Sequence, residues 1–206
     1  MARLGVLVSG NGSNLQALID ARDAGTLRAT LAVVISNKAG VPALGRAERA
    51  GIEAVCIPHR DFASREEFDA RIVEELRRHE VDWVVFAGFM RLVTPVLLRA
   101  FEHRILNLHP SLLPAFPGVD AGKQALEHGV KVTGCTVHLV TAEMDSGPII
   151  AQTPVSVLED DDLDRLMQRI HAAEHQTLVR AVQAACEGRL ELVPRGDGVR
   201  VRVRPA

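Results

Sequence analysis

Short apolar runs, spaced by stretches of helical periodicity, constrain this chain more than any other feature. Leu4 to Val8, Leu31 to Ile35, Ala54 to Ile57 and Trp83 to Ala87 each have the length and continuity of a buried parallel strand. Between them, Leu15 to Ala21 and Pro42 to Ala50, closed by Gly51, read as helices. A third helix opens at Ser64, with Glu67 three residues on in the spacing of a capping box, and puts Phe68, Ile72, Val73 and Leu76 on one face. Strand and helix in strict alternation predict an α/β, Rossmann-like, doubly wound and mostly parallel sheet for the first half.

The second half reads differently. Arg104 to His109 is a strand stopped by Pro110, and Ser111 to Gly118, with Pro114 and Pro117, is a rigid loop. Gln124 to His128 is a short helix ended by Gly129. Thr133 to Thr141 and Ile149 to Val157 are β-rich and joined by the turn residues Asp145-Ser146-Gly147-Pro148. The acids Asp160 to Asp162 suit the N-terminus of a long amphipathic C-terminal helix. The tail from Arg195, including Val199 to Arg204, is either an edge hairpin or loose. No repeat or linker separates the halves, so the sheet is expected to continue as a mixed sheet.

Composition removes several classes of function. The net charge of -2 supplies no basic field for nucleic acid, and aromatics at 3% with no Tyr supply no base-stacking platform. The three cysteines, Cys56, Cys135 and Cys186, form no C-x-x-C pair and are expected to be small buried residues in a reducing compartment. The N-terminal apolar stretch is too short for a signal peptide, and no run reaches the roughly 18 apolar residues of a membrane span. A cytoplasmic chain is the expectation.

Five segments have the residue types for chemistry. In Ser9-Gly10-Asn11-Gly12-Ser13-Asn14, between a strand and a helix, the glycines let backbone N–H groups approach a ligand, and the helix N-terminus favours an anion. The string is neither G-x-G-x-x-G nor a Lys-containing P-loop, so a single phosphate fits better than a dinucleotide or triphosphate; an ordinary capped turn is the alternative. Asn107 and His109 alternate onto one face of a strand, where an amide and an imidazole can hold an oxygen that becomes negative. Asp145 can orient that imidazole and favour its charged form, or be a turn residue. Glu174 interrupts the apolar stripe of the last helix and needs a partner there: a substrate amine or hydroxyl, or an internal ion pair. Phe89, Met90, Leu92 and Val93 are apolar where a loop is expected, and either line a pocket for a flat ring or pack in the core. No G-x-S-x-G elbow, H-E-x-x-H or His/Cys ligand cluster is present, which demotes serine hydrolases and zinc enzymes.

In this order the segments resemble the phosphoribosylglycinamide formyltransferase family of the formyl-transfer superfamily. The matching strings are Leu7 to Gln16, Ser36-Asn37-Lys38, Ala87 to Arg91, Leu106 to Pro114 and Asp145 to Pro148. The resemblance implies formyl transfer from 10-formyltetrahydrofolate, as co-substrate, to the amine of phosphoribosylglycinamide, without a metal. It implies that Gly12, Ser13, Asn14 and Glu174 bind the phosphoribosylglycinamide. Arg65, Met90, Arg91, Leu92, Val93 and Asn107 would bind the folate, and Asn107, His109 and Asp145 would be catalytic. It further implies one domain over 1–190, with a phosphate-binding half to residue 100 and a catalytic and folate half after it, followed by a tail over 191–206. The partners implied are small molecules, with no nucleic acid or membrane, and the chain a monomer or homodimer. The family often has a cis bond before the proline matching Pro114. It commonly has a His where this chain has Asp120, which removes one substrate-side imidazole. Formyltetrahydrofolate hydrolases and methionyl-tRNA formyltransferases share the central motif, but the first should not need the phosphate loop and the second adds a C-terminal domain. A nucleotide-binding module without catalysis is the third alternative.

Overall fold

A computed structural model describes residues 1–196 and 198–205. The parts of the expected tail at Asp197 and Ala206 lie outside them. The main body is one seven-stranded sheet in the order β3-β2-β1-β4-β5-β6-β7. Its strands are β1 (Ala2–Val8), β2 (Ala29–Ser36), β3 (Glu53–Cys56), β4 (Trp83–Phe86), β5 (Ile105–His109), β6 (Val132–Leu139) and β7 (Ile149–Ser156). The first five pair in parallel, whereas β6 is antiparallel to β5 and β7 to β6. The expected doubly wound sheet that continues as a mixed sheet is therefore what forms.

Helices cover both faces. On one, α1 (Ser13–Asp23), α2 (Pro42–Arg49) and the long α6 (Leu163–Cys186) bury Leu15, Leu18, Ala43, Ala47, Leu178 and Val182 against β1, β2 and β6. On the other, α3 (Arg65–Arg78) and α4 (Pro95–Ala100) bury Phe68, Ile72, Leu76 and Leu97 against β1, β2 and β4. A short α5 (Ala121–His128) packs beside α6. Strands β1 and β4 are apolar on both sides because each side has its own helix layer.

Local signals set the helix ends. Ser64 Oγ accepts the Glu67 N–H at 3.1 Å, and Glu67 reaches back to the Ala63 N–H at 3.2 Å, one residue earlier than in a strict capping box. Asp162 caps α6 through the Arg165 N–H at 2.8 Å, as the acidic run predicts.

Three details depart from the expectations. The tail does not extend the main sheet: β8 (Leu190–Arg195) and β9 (Gly198–Val203) pair with each other as a separate two-stranded sheet. Of the cysteines, Cys135 is buried and Cys186 half-buried, but Cys56 is exposed, because β3 is the edge strand of the sheet. Helix α4 is an added element. It spans only six residues, too few to show a period, and is set by the Thr94 cap and Pro95.

Candidate active site

The sheet changes from parallel to antiparallel at β5, and the polar residues gather there. Asn107 lies opposite Phe86 of β4 on one side and His138 of β6 on the other. Its Nδ2 donates to His138 Nε2 at 3.1 Å. The other nitrogen of that ring, Nδ1, donates to the Leu139 carbonyl at 2.9 Å, which leaves Nε2 as an acceptor. Burial pushes the His138 imidazole below its ordinary value and keeps the ring neutral. His138 therefore fixes which way the Asn107 amide faces and leaves the second Nδ2 hydrogen for another acceptor.

His109 is 4% exposed at the end of the same strand. Its Nε2 donates to the Phe116 carbonyl at 2.8 Å, and its Nδ1 stands 3.4 Å from Asp145 Oδ2. Two oxygens and no donor face this ring. At 3.4 Å the Nδ1 contact is long for a hydrogen bond, so Nδ1 is the less tightly engaged of the two ring nitrogens.

Asp145 is held by the backbone. It has φ 53°, in the left-handed region, and its Oδ2 accepts the Gly118 N–H at 2.8 Å. Two residues on, a Cβ at Gly147 would lie 1.8 Å from the Leu139 carbonyl oxygen, so only glycine lets the turn close against β6. The Pro-rich loop is pinned as well: Thr136 Oγ1 accepts the Leu113 N–H at 3.0 Å and donates to the Ser111 carbonyl at 2.7 Å. The Leu113–Pro114 bond is cis, as the resemblance implies. Asp120 is exposed, with φ 57°, and opens α5 without a side-chain cap.

The second polar group lies at the start of α1. Gly12 is the N-cap, and no side chain caps the helix amides that follow, so they remain available to an anion. Asn14 Nδ2 donates to Glu174 Oε2 at 3.2 Å, which joins the loop to α6 on the same face of the sheet. Glu174 is 4% exposed, and burial pushes its carboxyl up to about 7 against that one hydrogen bond. Among the described residues Asn14 Oδ1 is buried without a partner.

Segment 89–94 runs from β4 to α4 and divides in two. Phe89 and Val93 pack into the core, whereas Met90 and Leu92 are 72% and 59% exposed. Arg91 lies over the Phe68 ring at 5.9 Å. The segment is tied at both ends: the Met90 N–H donates to Ser9 Oγ at 2.8 Å, and Asp69 accepts from the Thr94 N–H and hydroxyl. Ser9 Oγ in turn donates to Asn37 Oδ1 at 2.6 Å. Arg65 is exposed at the first turn of α3, where its charge acts on Asp69; no hydrogen bond or ion pair among the described residues joins it to Asn107, His109 or Asp145.

The sequence does not mark His138 or Asp69 as site-building residues, and it marks Ser9 only as part of the glycine loop, without its tie to Met90. The signal for His138 was its place in a run that antiparallel pairing sets beside Asn107, but the register is not readable before the turn is known. Glu53, Glu75 and His79 also cluster, yet Arg71 and Arg78 already neutralise Glu75.

An open α/β sheet with an amide, an imidazole and a carboxylate at one strand end, and an uncapped helix N-terminus beside a buried carboxylate, defines an enzyme of group transfer to or from a carbonyl. Residues 2–182 match the family described as formyl transferase, and the chain belongs to that family. It is 42% identical over 187 residues to the phosphoribosylglycinamide formyltransferase of Escherichia coli, covering 91% of this chain and 88% of that one. In structure it is similar to glycinamide ribonucleotide transformylase 1 from Symbiobacterium toebii, with TM-score 0.93, 52% identity, and coverage of 98% and 94% of the two chains. The trifunctional purine biosynthetic protein adenosine-3 of Drosophila melanogaster is 50% identical over 93% of this chain, which spans 14% of that protein's length. The resemblance read from the motifs is borne out.

Proposed function

We propose that the chain transfers a formyl group from 10-formyltetrahydrofolate to the amine of 5'-phosphoribosylglycinamide in purine biosynthesis, giving formylglycinamide ribonucleotide and tetrahydrofolate. The observation that carries this reading is the pairing of two polar groups on one sheet. Asn107, His109 and Asp145 stand at the end of β5, and the uncapped α1 amides stand beside Asn14 and Glu174.

The α1 amides after Gly12, with Ser13 and Asn14, receive the phosphate, and Glu174 with the free Asn14 Oδ1 receives donors of the ribosyl-glycinamide. The folate ring system lies along Met90, Arg91, Leu92 and Val93 towards Asn107, with Arg65 at the outer end. The amine nitrogen attacks the formyl carbon. The oxygen that becomes negative takes the second Asn107 N–H and the His109 Nδ1–H. Asp145 balances the imidazolium and relays the proton lost by the amine to folate N10, whose bond to carbon then breaks. None of these steps calls on a metal.

Residues 1–190 are proposed as one functional domain, with segment 90–93 of the proposed folate site lying before residue 100. The working form is proposed as a cytoplasmic monomer or homodimer acting on small molecules, without nucleic acid or membrane. Among the described residues no helix is long and apolar enough to cross a membrane.

The test measures tetrahydrofolate release with and without phosphoribosylglycinamide. Amine-dependent turnover is expected. Amine-independent release makes the chain a hydrolase, and no release at all with folded protein removes the catalytic reading.

A further inference from the structure

The phosphate loop has little to hold its own shape. It is short, glycine-bearing, and its N-cap Gly12 has φ 77°. Apart from the bonds of Ser9 and Asn14 at its two ends, what fixes it comes from the neighbouring helix α2. Arg46 of α2 donates through Nε to the Asn11 carbonyl at 2.9 Å and through one terminal nitrogen to Asn11 Oδ1 at 3.1 Å. Its other terminal nitrogen donates to Gln16 Oε1 at 3.1 Å, at the end of the first turn of α1. One planar guanidinium therefore clamps both sides of Gly12, Ser13 and Asn14, using its fork geometry rather than its charge alone. Two further contacts close the same face. The Ala43 N–H donates to the Gly10 carbonyl at 3.2 Å, and a Cβ on Gly12 would come within 2.7 Å of the Ala43 Cβ and 3.5 Å of Arg46 Cδ.

Arg46 makes no ion pair with a carboxylate among the described residues. Its hydrogen-bond partners are neutral oxygens, so its positive charge has no direct ion-pair partner, although the Asp20 carboxylate lines the same groove. It also borders an open groove of about 610 Å³ that Ser13 and Gln16 share.

We propose that Arg46 is a positioning residue for acceptor recognition. Through Asn11 and Gln16 it holds the α1 amides in the geometry that receives the substrate phosphate. This rests on the acceptor reading given above. A ligand that finds the loop already ordered does not bear the cost of ordering it, so the loss falls on binding of the phosphate-bearing substrate.

The test compares wild type, Arg46→Met and Arg46→Lys. It reads steady-state kinetics for both substrates and the dissociation constant of inorganic phosphate by titration calorimetry. Arg46→Met is expected to raise KM for phosphoribosylglycinamide and Kd for phosphate together by about tenfold, with kcat and the folate KM within about twofold. Arg46→Lys keeps the charge but not the fork, and should stay within about threefold of Arg46→Met. Gln16→Met removes one arm of the clamp without altering α2, and should give a parallel rise of about two- to threefold even if Arg46→Met fails to fold. Unchanged phosphate affinity in the folded variants overturns the proposal, as does full recovery by Lys. If wild type binds phosphate but shows no amine-dependent turnover, the acceptor reading fails while the clamp is still measured by phosphate affinity.

Discussion

Replacing Glu174 by Gln probes a carboxylate that the fold keeps dry. Folding moves this group from an ordinary value of 4.5 to about 7, with a single hydrogen bond from Asn14 to offset its burial. At about 1.4 kcal/mol for each tenfold change in acidity, ionising it in place costs about 3 kcal/mol. The sign follows from which state holds the proton. Between the unfolded and folded values the folded chain keeps a proton that the unfolded chain has released. Stability therefore falls as pH rises through that window, and the full cost is present above it. Gln is uncharged throughout and still offers an oxygen to Asn14, so the variant loses this slope. Urea unfolding at about pH 5.5 and about pH 8.5 should show wild type losing about 2 kcal/mol more than Glu174→Gln between the two conditions. Other titrating groups cancel in that difference. An equal loss in both proteins would refute the reasoning, since it would mean that the carboxylate is solvated or paired in the folded state.

Three other outcomes follow from the site. Asn107→Ala and His109→Ala, measured in single turnover, should each lower the chemical step by about 10²- to 10³-fold, with folding checked by circular dichroism. His138→Leu leaves the Asn107 amide free to rotate and should lower kcat by about tenfold, with the acceptor KM within about threefold; an unchanged kcat removes its orienting role. Ser9→Ala takes away the acceptor for the Met90 N–H and should raise the folate KM by about three- to tenfold while leaving phosphate affinity close to wild type.

Periodicity was sufficient for the buried strands. Leu4 to Val8 and Leu31 to Ile35 are apolar because both sheet faces are covered, and the structure extends the first by two residues and the second by three. Helix α1 starts at Ser13 rather than Leu15, because its first turn faces the loop and has no apolar stripe to read. Asn107 and His109 were legible as a same-face pair on one strand. Asp145 was legible as a polar turn residue, but its approach to His109 depends on Gly147 passing the Leu139 carbonyl, a contact between distant segments. Glu174 was legible as a carboxylate on an apolar stripe, and its partner Asn14, 160 residues away, was not. His138 and Asp69 escaped notice for the same reason, and Ser9, legible as the head of the glycine loop, was not legible as the tether of Met90. Each acts through pairing register or loop packing, which local spacing does not encode.

Strand β5 takes a parallel neighbour on one side and an antiparallel neighbour on the other, so Asn107 and His109 have no free edge. Such a strand has little latitude in descent: a change at either neighbour shifts the amide or the ring. The two surfaces proposed above to receive the ligands are tethered largely through side chains, the loop before α1 by those of Arg46 and Asn14 and segment 89–94 by those of Ser9 and Asp69. A lineage can therefore redraw what it accepts a formyl group onto, and what it takes the group from, while inheriting the same strand beneath.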